Sequence, residues 1–476
     1  MTSALSAPEQ GKTFLGHPQG LAYLAFAETW ERFSFYGMQT LLVLYMVSQL
    51  LTPGHVENVF GFAAFRSLLE GPFGRMSEPA LASAIFGLYA SAVYLTPILG
   101  GLLADQWLGR RRTVILGGVL MTIGHFLMAF EQPFLLALIC MVLGAGCFKG
   151  NIASQVGALY APGDQRRADA FQVFYLGINA GAICAPLVCG TLGETVGWHY
   201  GFAAAGVGMV VGLLVYITGR RHLPDDPPVL KRAPKDRVRL TGREVRVMAL
   251  LVGMLPVFAV GLVANQQLGN AYLLWARDAV DRTVFGHTLP VTWLLTFQGV
   301  MTVLSLSVSV AFWRAWSRRR PAPTELTKIV IGMGLLCAAP LTLAVGAAFS
   351  ASIGVKVSPI WVAVFATFNE LGFANVLPVA LALYARAAPP AFGSTIVGVY
   401  YLQLVGANLL AGWMGGWLDK IPAVQFWLLH AGMVGASAVV FVIIRQLGRS
   451  LLAPSAARAD GKPMPFPPLR GSGSAH

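Results

Sequence analysis

Glu28-Thr29-Trp30-Glu31-Arg32-Phe33-Ser34-Phe35-Tyr36-Gly37 lies inside an apolar run spanning residues 20–50. A run of that length can cross a bilayer, which takes ~20 apolar residues. Yet it carries two carboxylates and a guanidinium. A charge at mid-membrane costs ~2.5–3.5 kcal/mol on insertion scales, so such residues usually line a polar pathway. On a helix Glu28, Glu31 and Arg32 stand at i, i+3 and i+4, on one face. There they can share protons and hold an anion. The alternative is a helix end whose charges are solvated at the water interface. Three clustered charges with apolar sequence on both sides weigh against it.

The rest of the chain has the same character. Of its 476 residues, 56% are hydrophobic and 12% charged, about half the charged share of a soluble domain. Its 53 glycines suit helices that approach closely in lipid. The net charge of +13 would suit nucleic acid, but the basic residues fall in alternate short loops, so no nucleic-acid partner is expected. Residues 1–19 lack an apolar core with a cleavage site and do not read as a signal peptide. Cys140, Cys147, Cys184, Cys189 and Cys337 all fall in apolar runs without metal-ligand spacing. Neither a disulfide nor a metal site is expected.

Apolar runs recur about twelve times, at 20–50, 81–104, 113–130, 134–160, 169–193, 199–219, 245–276, 289–316, 326–350, 358–386, 391–418 and 424–448. The arginine clusters Arg110-Arg111-Arg112, Arg166-Arg167 and Arg318-Arg319-Arg320, with the stretch Arg220 to Arg246, follow even-numbered runs. By the positive-inside rule both termini are cytoplasmic, and an even number of crossings agrees. The expected architecture is an all-α membrane protein of 12 transmembrane helices. It has an N-terminal tail 1–19, a six-helix bundle 20–219, a linker 220–244, a second six-helix bundle 245–450 and a disordered tail 451–476. Phe174-Tyr175-Leu176 in the fifth run answers Tyr400-Tyr401-Leu402 in the eleventh. Repeated halves point to a rocking transporter with its site between them. The loop 52–80 is expected on the outer side, with room for a short surface helix.

Gly101-Leu102-Leu103-Ala104-Asp105-Gln106-Trp107-Leu108-Gly109-Arg110-Arg111-Arg112 resembles the loop between the second and third helices of the major facilitator superfamily. Asp105 beside arginines can act there as a cytoplasmic latch, or as an ordinary acidic residue at a membrane boundary. Glu28-x-x-Glu31-Arg32-Phe33-x-Phe35-Tyr36-Gly37 resembles the ExxERFxYYG motif of proton-dependent oligopeptide transporters, the POT family. Phe174-Tyr175-Leu176-Gly177-Ile178-Asn179-Ala180-Gly181, Phe148-Lys149-Gly150-Asn151 and Tyr94-Leu95-Thr96-Pro97 are similar to further signatures of that family, in the same order.

The resemblance implies roles. Glu28 and Glu31 would carry the proton. Arg32 would bind the peptide's C-terminal carboxylate, with Lys149 as the basic partner across the site. Tyr36, Tyr94 and Asn179 would contact the peptide backbone, and Tyr400 stands where the eleventh helix usually has Trp. Chemistry agrees on the cations: Arg offers a planar fork to a carboxylate and Lys a point charge. A lysine inside an apolar run is expected to be paired unless it snorkels to an interface. Asn179 and Tyr94 could instead serve helix packing.

The departures matter as much. Gln39 and Asn265 stand where many members carry an arginine and an acid that pair as an outer gate. They are expected to meet as a neutral, hydrogen-bonded gate. Phe373 occupies the position of the tenth-helix Glu that holds the peptide amine. Glu370, one turn earlier on nearly the same face, is expected to substitute. Met301-Thr302 stand where the family has Asn-Pro. Residues 220–244 are too few for the extra helix pair of many bacterial members, since two crossings need ~40 residues. His125 and His430 read as packing residues.

The expected function is a proton-coupled symporter of di- and tripeptides in the bacterial inner membrane, a monomer with no cofactor beyond the proton. The same fold could carry another carboxylate-bearing solute, or the chain could be a non-transporting peptide receptor. No HExxH, GxSxG or paired-Asp motif supports an enzyme.

Overall fold

A computed structural model of the chain describes residues 13–161, 163–224, 226, 240–389 and 392–452. The first half contains α1 (Gly20–Tyr45), α2 (Phe62–Phe73), α3 (Glu78–Leu103), α4 (Arg110–Leu127), α5 (Phe134–Ala158), α6 (Arg166–Ala185), α7 (Thr191–Thr195) and α8 (Trp198–Gly219). The second half contains α9 (Gly242–Gln266), α10 (Ala271–Ala279), α11 (Trp293–Ser317), α12 (Glu325–Ile353), α13 (Pro359–Ala387), α14 (Gly393–Tyr400), α15 (Leu402–Gly415) and α16 (Ala423–Leu447). Among the described residues, ten helices are long and apolar enough to cross a membrane. Helices α1 and α4 stand in the places of the first and third expected crossings. They are less apolar because α1 carries Glu28, Glu31 and Arg32, and α4 opens on three arginines.

Local chemistry sets the helix ends. Thr241 and Glu244 form a reciprocal capping box at the start of α9, satisfying two orphan N–H groups. Ser77, Thr324 and Ser358 cap α3, α12 and α13. The seventh apolar run breaks into α9 and α10 because Asn270 leaves helical geometry. The Gln267 and Asn270 side chains both donate to the Ala411 carbonyl of α15. The amphipathic α2 occupies the loop 52–80. Only residues 223–241 join the turn Arg220–His222 to α9, too short a stretch for two crossings of ~20 residues each. Most of that linker, the first twelve residues and the tail from 453 lie outside the described residues.

In the first half α1 packs against α6 and α8, α4 against α5 and α8, and α3 against α5. In the second, α12 packs against α13 and α16, and α9 against α15 and α16. The halves meet where α3 crosses α15 and α6 meets α11. The first seam is glycine-to-glycine: a Cβ on Gly87 would lie 2.6 Å from the Gly412 Cα, so neither position has room for a side chain.

Cross-half hydrogen bonds among the described residues run from mid-helix toward the end remote from the termini. Ser91 donates to the Val405 carbonyl, Thr296 to the Ile183 carbonyl and Trp293 to Thr191. Arg277 reaches Ser48, and Glu194 reaches Val291 and Thr292. The apolar core of the first half continues across this seam into Tyr272, Trp275, Phe365 and Trp427. Toward the terminal end the second half keeps a separate core around Phe258, Tyr384 and Phe441. There Leu95, Leu99 and Leu102 on α3, and Tyr175 and Leu176 on α6, are exposed. The molecule is closed at the remote end and open at the terminal end.

Candidate functional site

The charged face of α1 is held in place by α6. A Cβ on Gly177 would lie 2.6 Å from the Thr29 hydroxyl, and one on Gly181 would lie 2.3 Å from the Thr29 carbonyl and 2.9 Å from the Arg32 Cβ. Two glycines one turn apart therefore bring the α6 backbone against the motif. This is why a small-residue signature on another helix belongs to the site.

Glu28, Glu31 and Arg32 are all buried. Arg32 Nε donates to Glu28 Oε1 at 2.7 Å and lies 2.8 Å from Glu31 Oε2. The Glu31 contact lacks hydrogen-bond geometry, and both Glu31 oxygens, with Glu28 Oε2, have no hydrogen-bond partner among the described residues. One guanidinium nitrogen thus serves two carboxylates, and one of the two keeps its lone pairs free. Tyr36 follows Arg32 one turn along the same face.

Lys149, half-buried on α5, makes no salt bridge within 4 Å among the described residues. Its Nζ sits 3.7 Å from the centroid of the Phe35 ring and 6.0 Å from that of Tyr94. The partner expected for this lysine is an aromatic ring. The negative face of a ring attracts a cation without neutralising it. Arg32 Cζ lies 5.8 Å from the centroid of the same Phe35 ring, so both cations stand near one aromatic side chain. Tyr94 is partly exposed at the mouth of this space. Asn179, half-buried on α6, donates to the Tyr175 carbonyl at 2.8 Å, and its amide oxygen has no hydrogen bond among the described residues.

In the second half Glu370 is buried on α13 and accepts from Thr302 Oγ1 at 2.7 Å and from Asn369 Nδ2 at 2.8 Å. Thr302 occupies the place where the family pattern has proline, which has no donor to give. The two departures from the pattern therefore meet in one hydrogen bond. Gln298, one turn earlier on α11, is buried with both amide atoms unpartnered among the described residues.

Three expectations are corrected. Tyr400 does not face the cleft: it is completely buried, donates to the Leu377 carbonyl at 2.7 Å and packs on Tyr384 and Phe258. Its neighbour Tyr401 is half-buried. The Gln39–Asn265 hydrogen bond is not formed. Asn265 accepts from its neighbour Gln266 at 3.0 Å, and Glu194, which the sequence reading passed over, spans the seam instead. Asp105 is exposed in the turn Ala104–Leu108 and makes no ion pair among the described residues. The corner is pinned by Asp226, which accepts from the Arg111 N–H at 3.0 Å. The intervening Gly109 has φ 76° and a virtual Cβ 2.7 Å from Asp226 Oδ2, two reasons for glycine there. His430 is tied to Gln267 and to the Phe426 carbonyl. His125 is buried away from the charged cluster.

The chain matches the POT family over residues 111–241 and 235–428. It is 30% identical to the peptide transporter YePEPT of Yersinia enterocolitica, over 92% of this chain and 96% of that protein. It is also 30% identical to a di-/tripeptide transporter of Lactococcus lactis subsp. cremoris, over 82% of this chain and 88% of that one. The crystal structure of a peptide transporter POT in complex with sulfate superposes with a TM-score of 0.80 at 25% identity, covering 92% of this chain and 97% of that one. A mutant peptide transporter POT in complex with alafosfalin gives 0.79 at 26% identity, covering 93% and 97%.

Proposed function

The chain belongs to the POT family, and from that premise we propose that it is a proton-coupled symporter of di- and tripeptides working by alternating access. It is an integral membrane transporter and not an enzyme. The finer reading places it in the bacterial inner membrane as a monomer with cytoplasmic termini. The arginine-rich turns at the terminal end support that orientation, and with it the conformation described above is open to the cytoplasm.

The observation that carries the reading is the sharing of Arg32 between Glu28 and Glu31, 2.7 and 2.8 Å away, with Lys149 resting on a ring nearby. A proton taken by Glu31 removes one of the two claims on the guanidinium. Arg32 and Lys149 are then free to hold a peptide carboxylate, Arg as a fork and Lys as a point charge. Tyr36, Tyr94 and Asn179 supply polar contacts for the peptide backbone, and Glu370 an acid for its amine. The driving force is sufficient: ~100 mV supplies ~2.3 kcal/mol per charge, or roughly fifty-fold accumulation.

The test is dialanine uptake into proteoliposomes under an imposed proton gradient. Glu31→Gln, which mimics the protonated acid, should lose concentrative uptake and keep exchange of labelled dipeptide. Gradient-driven accumulation by that variant would refute the assigned carrier. A second reading, another carboxylate-bearing solute, is favoured by the second half alone, where Tyr400 is withdrawn and Glu370 already holds two donors. Failure of excess dialanine to compete with that solute would select it.

A further inference from the structure

We propose that the cleft between α11, α13 and the start of α12 binds one anionic phospholipid from the leaflet on the terminal side. The cleft holds about 680 Å³ and shares no lining residue with the site described above. Its floor is apolar, with Leu306 and Val310 of α11 facing Pro378 and Ala382 of α13. Its rim is basic, formed by Arg314, Arg318 and Lys328. Val310, Arg314 and Arg318 follow at four-residue steps, so one face of α11 changes from apolar to cationic as it leaves the membrane. That order, chains inward and charge at the interface, is the order of a phospholipid.

The rim cations make no salt bridge to a carboxylate among the described residues. Glu325 is the one carboxylate lining the cleft, and both its oxygens are clamped by Arg386, at 2.8 and 3.1 Å. Arg314 and Arg318 make no salt bridge among the described residues. Lys328 Nζ lies 5.1 Å over the Trp313 ring, and Trp313 is fixed by donating to Asn375 at 2.7 Å. The lysine is thus steered without being neutralised. The positive-inside rule accounts for arginines in this loop, but not for an apolar-floored cleft beneath them. A basic pocket between helices at this level has the chemistry that captures anionic headgroups. Helix α11 also has the surface for a lipid neighbour: Leu306 and Val310 are exposed on it.

The test is native mass spectrometry of the full-length protein titrated with dioleoyl phosphatidylglycerol or dioleoyl phosphatidylcholine. The first phosphatidylglycerol should bind more tightly than the first phosphatidylcholine. Each basic residue contributes ~1 kcal/mol near an anionic lipid, so Arg314→Gln/Lys328→Gln should weaken that first site on the order of 30-fold. Arg314→Lys/Lys328→Arg should restore it. Equal weakening by Arg220→Gln/Arg221→Gln, away from the cleft, would overturn the proposal as mere bulk charge. Displacement of the lipid by millimolar inorganic phosphate would also overturn it, because the apolar floor would then contribute nothing.

Discussion

Glu194 closes the remote end of the molecule by capping a helix that belongs to the other half. Its Oε1 accepts the Thr292 N–H at 2.9 Å and the Thr292 hydroxyl at 2.6 Å, and its Oε2 accepts the Val291 N–H at 2.8 Å. The Val291 and Thr292 N–H groups stand just before the first turn of α11, beyond the reach of its intrahelical bonds, and Thr292 does not cap its own helix. A carboxylate is the strongest partner for such an end. Hydrogen bonds to a charged group are worth ~1.5–3 kcal/mol, and all three must break when the halves part. Glu194→Gln should therefore shift the closed–open equilibrium by ~10-fold or more toward opening at this end. Electron–electron resonance between labels at positions 199 and 285, both exposed at that end, would show longer distances. An unchanged distance distribution would remove Glu194 from the gate.

A second carboxylate at the same end organises the loops of the first half. Glu131, between α4 and α5, accepts from Gln49 at 2.9 Å and Asn58 at 3.3 Å, and lies 2.5 Å from His55 Nδ1. Partial burial works against its ionisation, but the bonds from Gln49, His55 and Asn58 outweigh it and hold the carboxyl below its usual range. The folded value is depressed, so the contribution is present above the unfolded value of ~4.3 and fades as pH falls through the folded one. Protection factors for hydrogen exchange over residues 46–60, taken against the intrinsic rate at each pH, should be high at pH 7 and fall below pH ~4. Glu131→Gln should remove that dependence; a variant that keeps it would assign the transition to another group.

The hydroxyl of Thr302 is the donor that a proline at this position could not supply. Thr302→Val keeps the shape and leaves Glu370 Oε2 with one partner fewer in a buried setting, a loss of ~1–3 kcal/mol. If Glu370 receives the peptide amine, dialanine should bind roughly ten-fold more weakly in Thr302→Val, and an amine-blocked dipeptide should bind as before. Equal losses for both ligands would mean that Thr302 supports only the packing of α11 on α13.

The fold was legible because hydropathy and arginine placement are summed over many residues and survive local exceptions. The first-half site was legible for a related reason. Charges inside an apolar run have few places to go, and Glu28, Glu31, Arg32 and Lys149 do gather. What the sequence hid depends on geometry between distant elements. Glu194 ends an apolar run and looks like an ordinary boundary residue until α11 is placed beside it. Tyr400 and Tyr401 are adjacent, and only the helix break at that point decides which of them faces the cleft. Gln39 and Asn265 were matched by pattern, but Gln266 offers Asn265 a nearer partner.

Phe35 is the residue on which the readiness of Lys149 rests. With its ammonium 3.7 Å from the ring centroid, Lys149 is attracted by ~0.5–2 kcal/mol, less than a buried ion pair would hold it. The cation thus stays off Glu28 and Glu31 and available to a substrate carboxylate. Phe35→Leu removes the π face and leaves Lys149 to seek the carboxylates on α1, where it would compete with substrate. The expected result is a KM for dialanine higher by ~5- to 30-fold with kcat little changed, and Phe35→Tyr should restore the original value. Thermal stability separates this from a packing defect, because loss of volume alone would lower Tm and leave KM in place. An unchanged KM in a stable Phe35→Leu protein would show that the ring fills space and does not steer the lysine.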